Sequence, residues 1–268
     1  MNQYGLYGET VFEPKLTADI MNAGREILGE EERGERIHAS DILTARKYYW
    51  RNKKPLPLQD KEVGFFLAGR AHHEIIIKIM KKDKSGKFVT DEGSREWEKI
   101  FYSPDFRLGF MAEIKSSRRQ WSPKDDDSDA IQFAYKNYLK QLEQYMAVED
   151  VEEAALVIFF ISHRNDDKNK TTEPKLKAYS HVLTARDRKA IRTRMLETRD
   201  VLLQIKKTGF KDGAHKKLVL CPAWQCCSGG YKGPATASCK WYFDCKPKGR
   251  YPEELYAKNK RKGNFDDE

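Results

Sequence analysis

Polar and apolar positions alternate along this chain in patterns that predict its elements. From Val63, "VGFFLAGRAHHEIIIKIM" places Phe65, Ala68, His72, Ile75, Ile76 and Ile79 at helical spacing, which predicts a buried helix of about four turns. From Ala154, "AALVIFFIS" is an unbroken apolar run of strand length, as in a strand covered on both faces, and "KLKAYSHVL" reads as its neighbour. Between these lie a strand from about Trp97 to Asp105, a returning strand from Phe110 to Ser116, and a helix from Ala130 to Val148. That helix carries Ala134, Tyr138, Gln141 and Tyr145 on one face, with polar groups where a plain core helix has none. Thr184 with Asp187 forms a capping-box start for a helix that turns Ile191, Met195, Leu202 and Ile205 inward and ends near Gly209. Upstream, Ser40 caps a further helix that Pro55 and Pro57 terminate, and residues 1–38 form a polar arm with one helix-like stretch from Thr17 to about Leu28. The order helix, strand, strand, helix, strand, strand, helix predicts an α/β fold.

The run "SPDFRLGFMAEIKSS" brings chemistry into this frame. Residues two apart on a strand share a face, so Glu113 and Lys115 project together while apolar Ile114 points to the core. If the chain reverses around Gly109, antiparallel pairing sets Asp105 opposite Glu113, with Cβ atoms roughly 4.5–5.5 Å apart. Two carboxylates at that separation suit a hard divalent cation, which prefers oxygen ligands and keeps sites for water and phosphate oxygens. Lys115 would orient or deprotonate an attacking water, or neutralise charge on a phosphate. A solvated strand with an ordinary Glu/Lys pair is the other reading of the same triplet. The carboxylate run in "RRQWSPKDDDSDA" (118–130) reads as a solvated helix start, not a second ion site.

Charge narrows the partner. The 268 residues hold 50 Lys and Arg against 41 Asp and Glu, a net +9, so the field favours polyanions, nucleic acid first. In "TARKYYWRNKKP", Arg46, Lys47, Arg51, Lys53 and Lys54 interleave with Tyr48, Tyr49 and Trp50, a mixture suited to phosphate contact and base stacking or to plain burial of the aromatics. No stretch approaches a membrane span and the start lacks the order of a signal peptide, so the expected setting is cytoplasmic, with no membrane partner.

A helix with a central histidine, then Asp, then Glu-x-Lys, then a helix bearing Gln-x-x-x-Tyr resembles the PD-(D/E)XK nuclease superfamily, and more narrowly its RecB-type branch with the CRISPR-adaptation nucleases. The segments are "GRAHHE" with His73, "SPD" with Asp105, "EIK" with Glu113 and Lys115, and "QLEQY" with Gln141 and Tyr145. The "SPD…EIK" spelling also resembles phage-type recombination exonucleases. The resemblance spans about residues 40–205. It implies a restriction-endonuclease-like αβββαβ core, with a mixed sheet flanked by helices, and a metal-dependent deoxyribonuclease, exonuclease first. In it His73, Asp105, Glu113 and the Ile114 carbonyl ligate Mg²⁺ or Mn²⁺, Lys115 serves the water, and Gln141 and Tyr145 position DNA or the lysine. His72 competes for the ligand role. Alternatives are an endonuclease, a partner-dependent subunit of a recombination, repair or CRISPR-adaptation complex, and a protein that binds nucleic acid without cutting it.

All five cysteines, Cys221, Cys226, Cys227, Cys239 and Cys245, fall in one 25-residue segment, a density that packing does not explain and that points to a metal. RecB-type relatives hold an iron–sulfur cluster with one upstream cysteine. Here Ala45 stands about where that cysteine would be, so the expected site is built from Cys221, Cys226 or Cys227, Cys239 and Cys245 and holds iron–sulfur or zinc, with free thiols and no metal as the alternative. The expected organisation is an arm (1–38), a nuclease domain (39–210) and a cysteine-rich module with a basic tail (211–268). Lys248, Arg250, Lys258, Lys260 and Arg261 in that tail suit a DNA backbone or plain solvation.

Overall fold

A computed structural model of the chain describes residues 36–56, 60–82, 88–89, 93–106, 108–117, 123, 127–164 and 172–218, with scattered helical positions between 14 and 23. The rest of the arm, the five cysteines and the basic tail lie outside the described residues. In chain order the elements are β1 (Ile37–His38), α1 (Ala39–Leu43), α2 (Ala45–Lys53), α3 (Asp60–Met80), β2 (Phe88–Val89), β3 (Arg95–Trp97), β4 (Ile100–Tyr102), β5 (Leu108–Gly109) and β6 (Met111–Ser117). They continue with α4 (Ser128–Glu149), β7 (Glu153–Arg164), β8 (Thr172–Val182), α5 (Ala185–Lys207) and a 3₁₀ turn (Ala214–Lys217).

The apolar run at Ala154 becomes the central strand of a mixed sheet. β7 pairs in parallel with β6, Met111 opposite Ala154 through Ser117 opposite Phe160, and antiparallel with β8. Alternation sends its side chains to two cores. Ala154, Leu156, Ile158 and Phe160 pack with Leu142 and Met146 of α4 and Met195 of α5. Ala155 and Val157 pack with Phe106, Ala112, Ile114 and Ile76 of α3. The α/β layering, with helices on both faces of a mixed sheet, is as expected. A second mixed sheet, β1-β4-β3, and the antiparallel pair β2-β5 stand beside it, so the expected single sheet is divided among the described residues.

The continuous strand expected from Trp97 to Asp105 is corrected by a turn. Glu98 and Lys99 both take positive φ (50° and 63°), the signature of a two-residue hairpin turn, and β3 folds back on β4. Such turns favour Asn-Gly, so Glu-Lys gave no signal. The helix expected from Ser40 is likewise broken. Thr44, with φ −125° and ψ 45°, separates α1 from α2, and the cap residue is His38. On α3, Ile76 is buried but Ile75 and Ile79 are 56% and 61% exposed. Three consecutive isoleucines sweep about 200° of helix surface, and one flat sheet cannot cover them all.

Two fixed points hold the remaining helices. The capping box at Thr184 forms as expected, with the Asp187 N–H donating to Thr184 Oγ1 (3.2 Å) and the Thr184 N–H to Asp187 Oδ2 (3.2 Å). The chain leaves α4 through Asp150 in the left-handed region (φ 55°), where Arg188 Nε (2.9 Å) and Arg192 (3.2 Å) of α5 grip its carboxylate. Upstream on α4, Tyr135 departs from helical geometry (φ −111°, ψ 15°) and kinks the helix.

The short α1 is pinned by Asp41. Its buried carboxylate accepts from the His38 N–H (3.0 Å) and meets Arg51 of α2 on both oxygens (3.2 and 3.3 Å). Asp41→Ala removes a helix cap and strands a guanidinium that is about one-third exposed. The expected loss is about 2 kcal/mol, less than for a fully buried pair. Urea denaturation measures it, and a loss below about 0.5 kcal/mol would mean that the pair does not hold α1.

Candidate active site

At the edge of the main sheet, one antiparallel bridge sets the geometry. Phe106 and Ala112 exchange backbone hydrogen bonds, each 3.1 Å, and this register puts Asp105 opposite Glu113. The bridge supplies the opposition expected of a hairpin, while β6 takes its main partner from β7. Phe106 is fully buried and fixes the strand end that carries Asp105.

Asp105 is held from two sides. Its Oδ2 accepts the Ile114 N–H at 2.5 Å, and its Oδ1 lies 2.7 Å from His73 Nε2 on α3. Glu113 is 1% exposed, and Lys115 Nζ donates to its Oε1. Glu113 Oε2 is buried without a hydrogen-bond partner. Lys115 also stands 5.9 Å from the centroid of the Tyr138 ring. Gln141 and Tyr145, one turn apart on α4, join through Gln141 Nε2 donating to the Tyr145 hydroxyl (2.7 Å). An open cavity of about 330 Å³ brings together His73, Asp105, Glu113, Ile114, Lys115, Gln141 and Tyr145.

His72 stands apart from this group. Its Nδ1 bonds the Ala68 carbonyl (2.6 Å), and its ring lies 5.4 Å from Phe159, over β7. Of the two histidines only His73 lines the cavity. His38, Ser40, Phe101 and Ser103 also line it and went unnoticed in the sequence. β1 and β4 are too short to show an alternating pattern, and Ser40 reads naturally as a helix cap.

The electrostatics follow from burial. Loss of water pushes the Glu113 carboxyl up to about 7, and the nearby Asp105 charge adds to the effect. Burial works to lower the Lys115 ammonium, but the charges of Glu113 and Asp105 outweigh it and hold it above its usual value. The Asp105 hydrogen bond raises the His73 imidazole against the opposing effect of burial. Two carboxylates, one imidazole and a backbone carbonyl form an oxygen-rich donor set suited to a hard divalent cation. As the side chains stand, no three His, Cys, Asp or Glu among the described residues are arranged as an ion cage. His73 holds Asp105 and Lys115 holds Glu113 in this state.

No family model matches the chain, and no curated protein matches it. Solved structures similar to it include a phage related exonuclease from Haemophilus somnus 129PT, at 14% identity over 65% of this chain and 96% of that one, with TM-score 0.47. SSO0001 is also similar, at 14% identity over 72% and 87%, with TM-score 0.42. So is LHK-Exo in complex with dAMP, at 14% identity over 65% and 93%, with TM-score 0.36. Among the described residues, no helix is long and apolar enough to cross a membrane.

The buried groups make stability depend on pH. Glu113 in the native protein keeps its proton up to about 7, whereas the unfolded chain releases it near 4.5, so the native state loses stability as pH rises through that window. His73, raised by Asp105, adds a loss of the same sign as pH rises through its native value. In EDTA, the unfolding free energy is expected to fall by up to about 3 kcal/mol between pH 5 and pH 8. Denaturant titrations at each pH measure this, and Glu113→Gln should flatten the slope. An unchanged slope in that variant would remove Glu113 as its source.

Proposed function

We propose that this chain is a divalent-metal-dependent deoxyribonuclease that hydrolyses DNA phosphodiester bonds, with exonuclease action favoured by the "SPD…EIK" resemblance. The observation that carries the reading is the Glu113 carboxylate. It is buried, one of its oxygens has no partner, it stands opposite Asp105 and beside Lys115, and it opens on a cavity. Leaving such an atom unsatisfied costs about 1–3 kcal/mol, a cost that a ligand would offset.

Asp105, Glu113, His73 and the Ile114 carbonyl are the groups that would hold Mg²⁺ or Mn²⁺. Glu113 Oε2 is open to such an ion, whereas Asp105 Oδ1 becomes available only when His73 releases it. The ion would supply a more acidic water and charge stabilisation at the phosphate. Lys115, kept cationic by its two carboxylates, acts better as a fixed positive charge that orients water or meets a phosphate oxygen than as a base. Tyr138 limits where that charge can point. Gln141 and Tyr145, tied to each other, present an amide and a phenol to the bound strand. The protein core is read as the restriction-endonuclease-like αβββαβ arrangement. The segment Cys221 to Cys245 is read as a separate four-cysteine site for iron–sulfur or zinc, tested by iron and zinc analysis of anaerobically purified protein.

Cleavage of end-labelled linear and of closed circular DNA tests the activity. Mg²⁺ or Mn²⁺ should support cutting and EDTA should stop it. Lys115→Ala and Asp105→Ala should each cut at least about 100-fold more slowly. Loss of linear DNA with circles intact identifies an exonuclease, and cutting of both identifies an endonuclease. Activity that survives both substitutions would move the site elsewhere. DNA binding with no cutting under any metal would leave a binding protein.

A further inference from the structure

Beside the carboxylates, the cavity carries a group that hydrolysis does not require. β1 and β4 pair in parallel with His38 opposite Phe101, so the two rings stand side by side, with centroids 5.9 Å apart and planes at 43°. Phe101 lies between buried Ile100 and buried Tyr102 and turns its own ring out of the core into the cavity wall. The guanidinium of exposed Arg36 sits 4.8 Å from the centroid of the Phe101 ring. The result is a partly exposed aromatic surface, flanked by an imidazole and the exposed Arg36 cation, on the wall of the same cavity that holds Asp105 and Lys115.

A partly wet phenylalanine on a cavity wall exposes apolar area that a polar residue at the same position would not. Every nucleobase has a π-face, and stacking on an aromatic side chain is independent of sequence. An arginine that already lies over such a ring can be replaced there by a base and turn to the adjoining phosphate.

We propose that Phe101, with His38 and Arg36, forms a stacking platform for one unpaired nucleobase next to the phosphate being cut. The inference rests on the nuclease reading above and specifies its substrate: a strand presented with the base bordering the cut drawn out of the duplex stack. Such a platform favours a single strand or a frayed end over a fully paired interior. It also makes cutting indifferent to which base is present.

The test pairs a change in the protein with a change in the substrate. Single-stranded oligonucleotides carrying one abasic residue at successive positions are cut under single-turnover conditions by the full-length protein and by Phe101→Ala, Phe101→Leu and Phe101→Trp. For the unsubstituted protein, removing the base that borders the cut should slow the reaction about 10- to 100-fold, while removal at distant positions should not. In Phe101→Ala and Phe101→Leu that penalty should disappear, with KM raised on the intact strand. In Phe101→Trp the penalty should return. A penalty that persists in Phe101→Ala, or the absence of any position-dependent penalty in the unsubstituted protein, overturns the platform while leaving the nuclease reading intact. If nothing is cut, the nuclease reading fails by itself, and a 2-aminopurine-labelled strand reports on the platform directly. Fluorescence quenching that is lost in Phe101→Ala supports the platform, and no quenching by the unsubstituted protein overturns it.

Discussion

From Met111 to Ile114, β6 is buried on both faces, with α3 packed over one and the α4 core beneath the other, and a carboxylate at position 113 has nowhere to go but inside. That constraint orders the whole site. An ionised glutamate in such a place costs far more than one in water unless cations or donors meet it. Lys115, two residues along the same strand, supplies one contact, and its charge is sustained in turn by Glu113 and Asp105. Asp105 is kept close by a single pair of backbone bonds at Phe106 and by the Ile114 amide. His73 then secures Asp105 from the opposite helix. Each contact makes sense only because the first carboxylate is dry.

How much of this was legible depends on how far each signal reaches along the chain. The opposition of Asp105 and Glu113 followed from one turn near Gly109 and period-two geometry, and the bridge register gives it, even though β6 finds its main partner in β7. Local capping chemistry placed the start of α5, and an uninterrupted apolar run identified the strand buried on both faces. The sequence did not reveal the Glu98–Lys99 turn, because two long charged side chains in left-handed geometry run against the usual glycine and asparagine signal. Nor did it separate His72 from His73. One step along a helix is about 100°, and only the packed structure shows which of two neighbours faces the sheet edge and which faces Phe159.

The wall of the cavity illustrates the same limit from the other end. His38, Ser40 and Phe101 come from strands of two and three residues and a helix of five, elements too short for any periodicity to mark. They reach the cavity through tertiary anchoring: Asp41 fixes α1, and the parallel pairing of β1 with β4 carries His38 beside Phe101. Short elements so held can set side chains as firmly as long ones, since position there comes from the anchor and not from length.

The kink at Tyr135 divides α4 into two arms. The arm bearing Gln141 and Tyr145 is riveted at its far end, where Arg188 and Arg192 grip Asp150 and Arg192 also holds the Ala147 carbonyl. The shorter arm before Tyr135 starts at the Asp127 cap, whose carboxylate accepts the Ala130 N–H (2.9 Å). Bending at the kink can therefore shift the first arm while the amide and phenol, on the riveted arm, keep their station relative to the carboxylates.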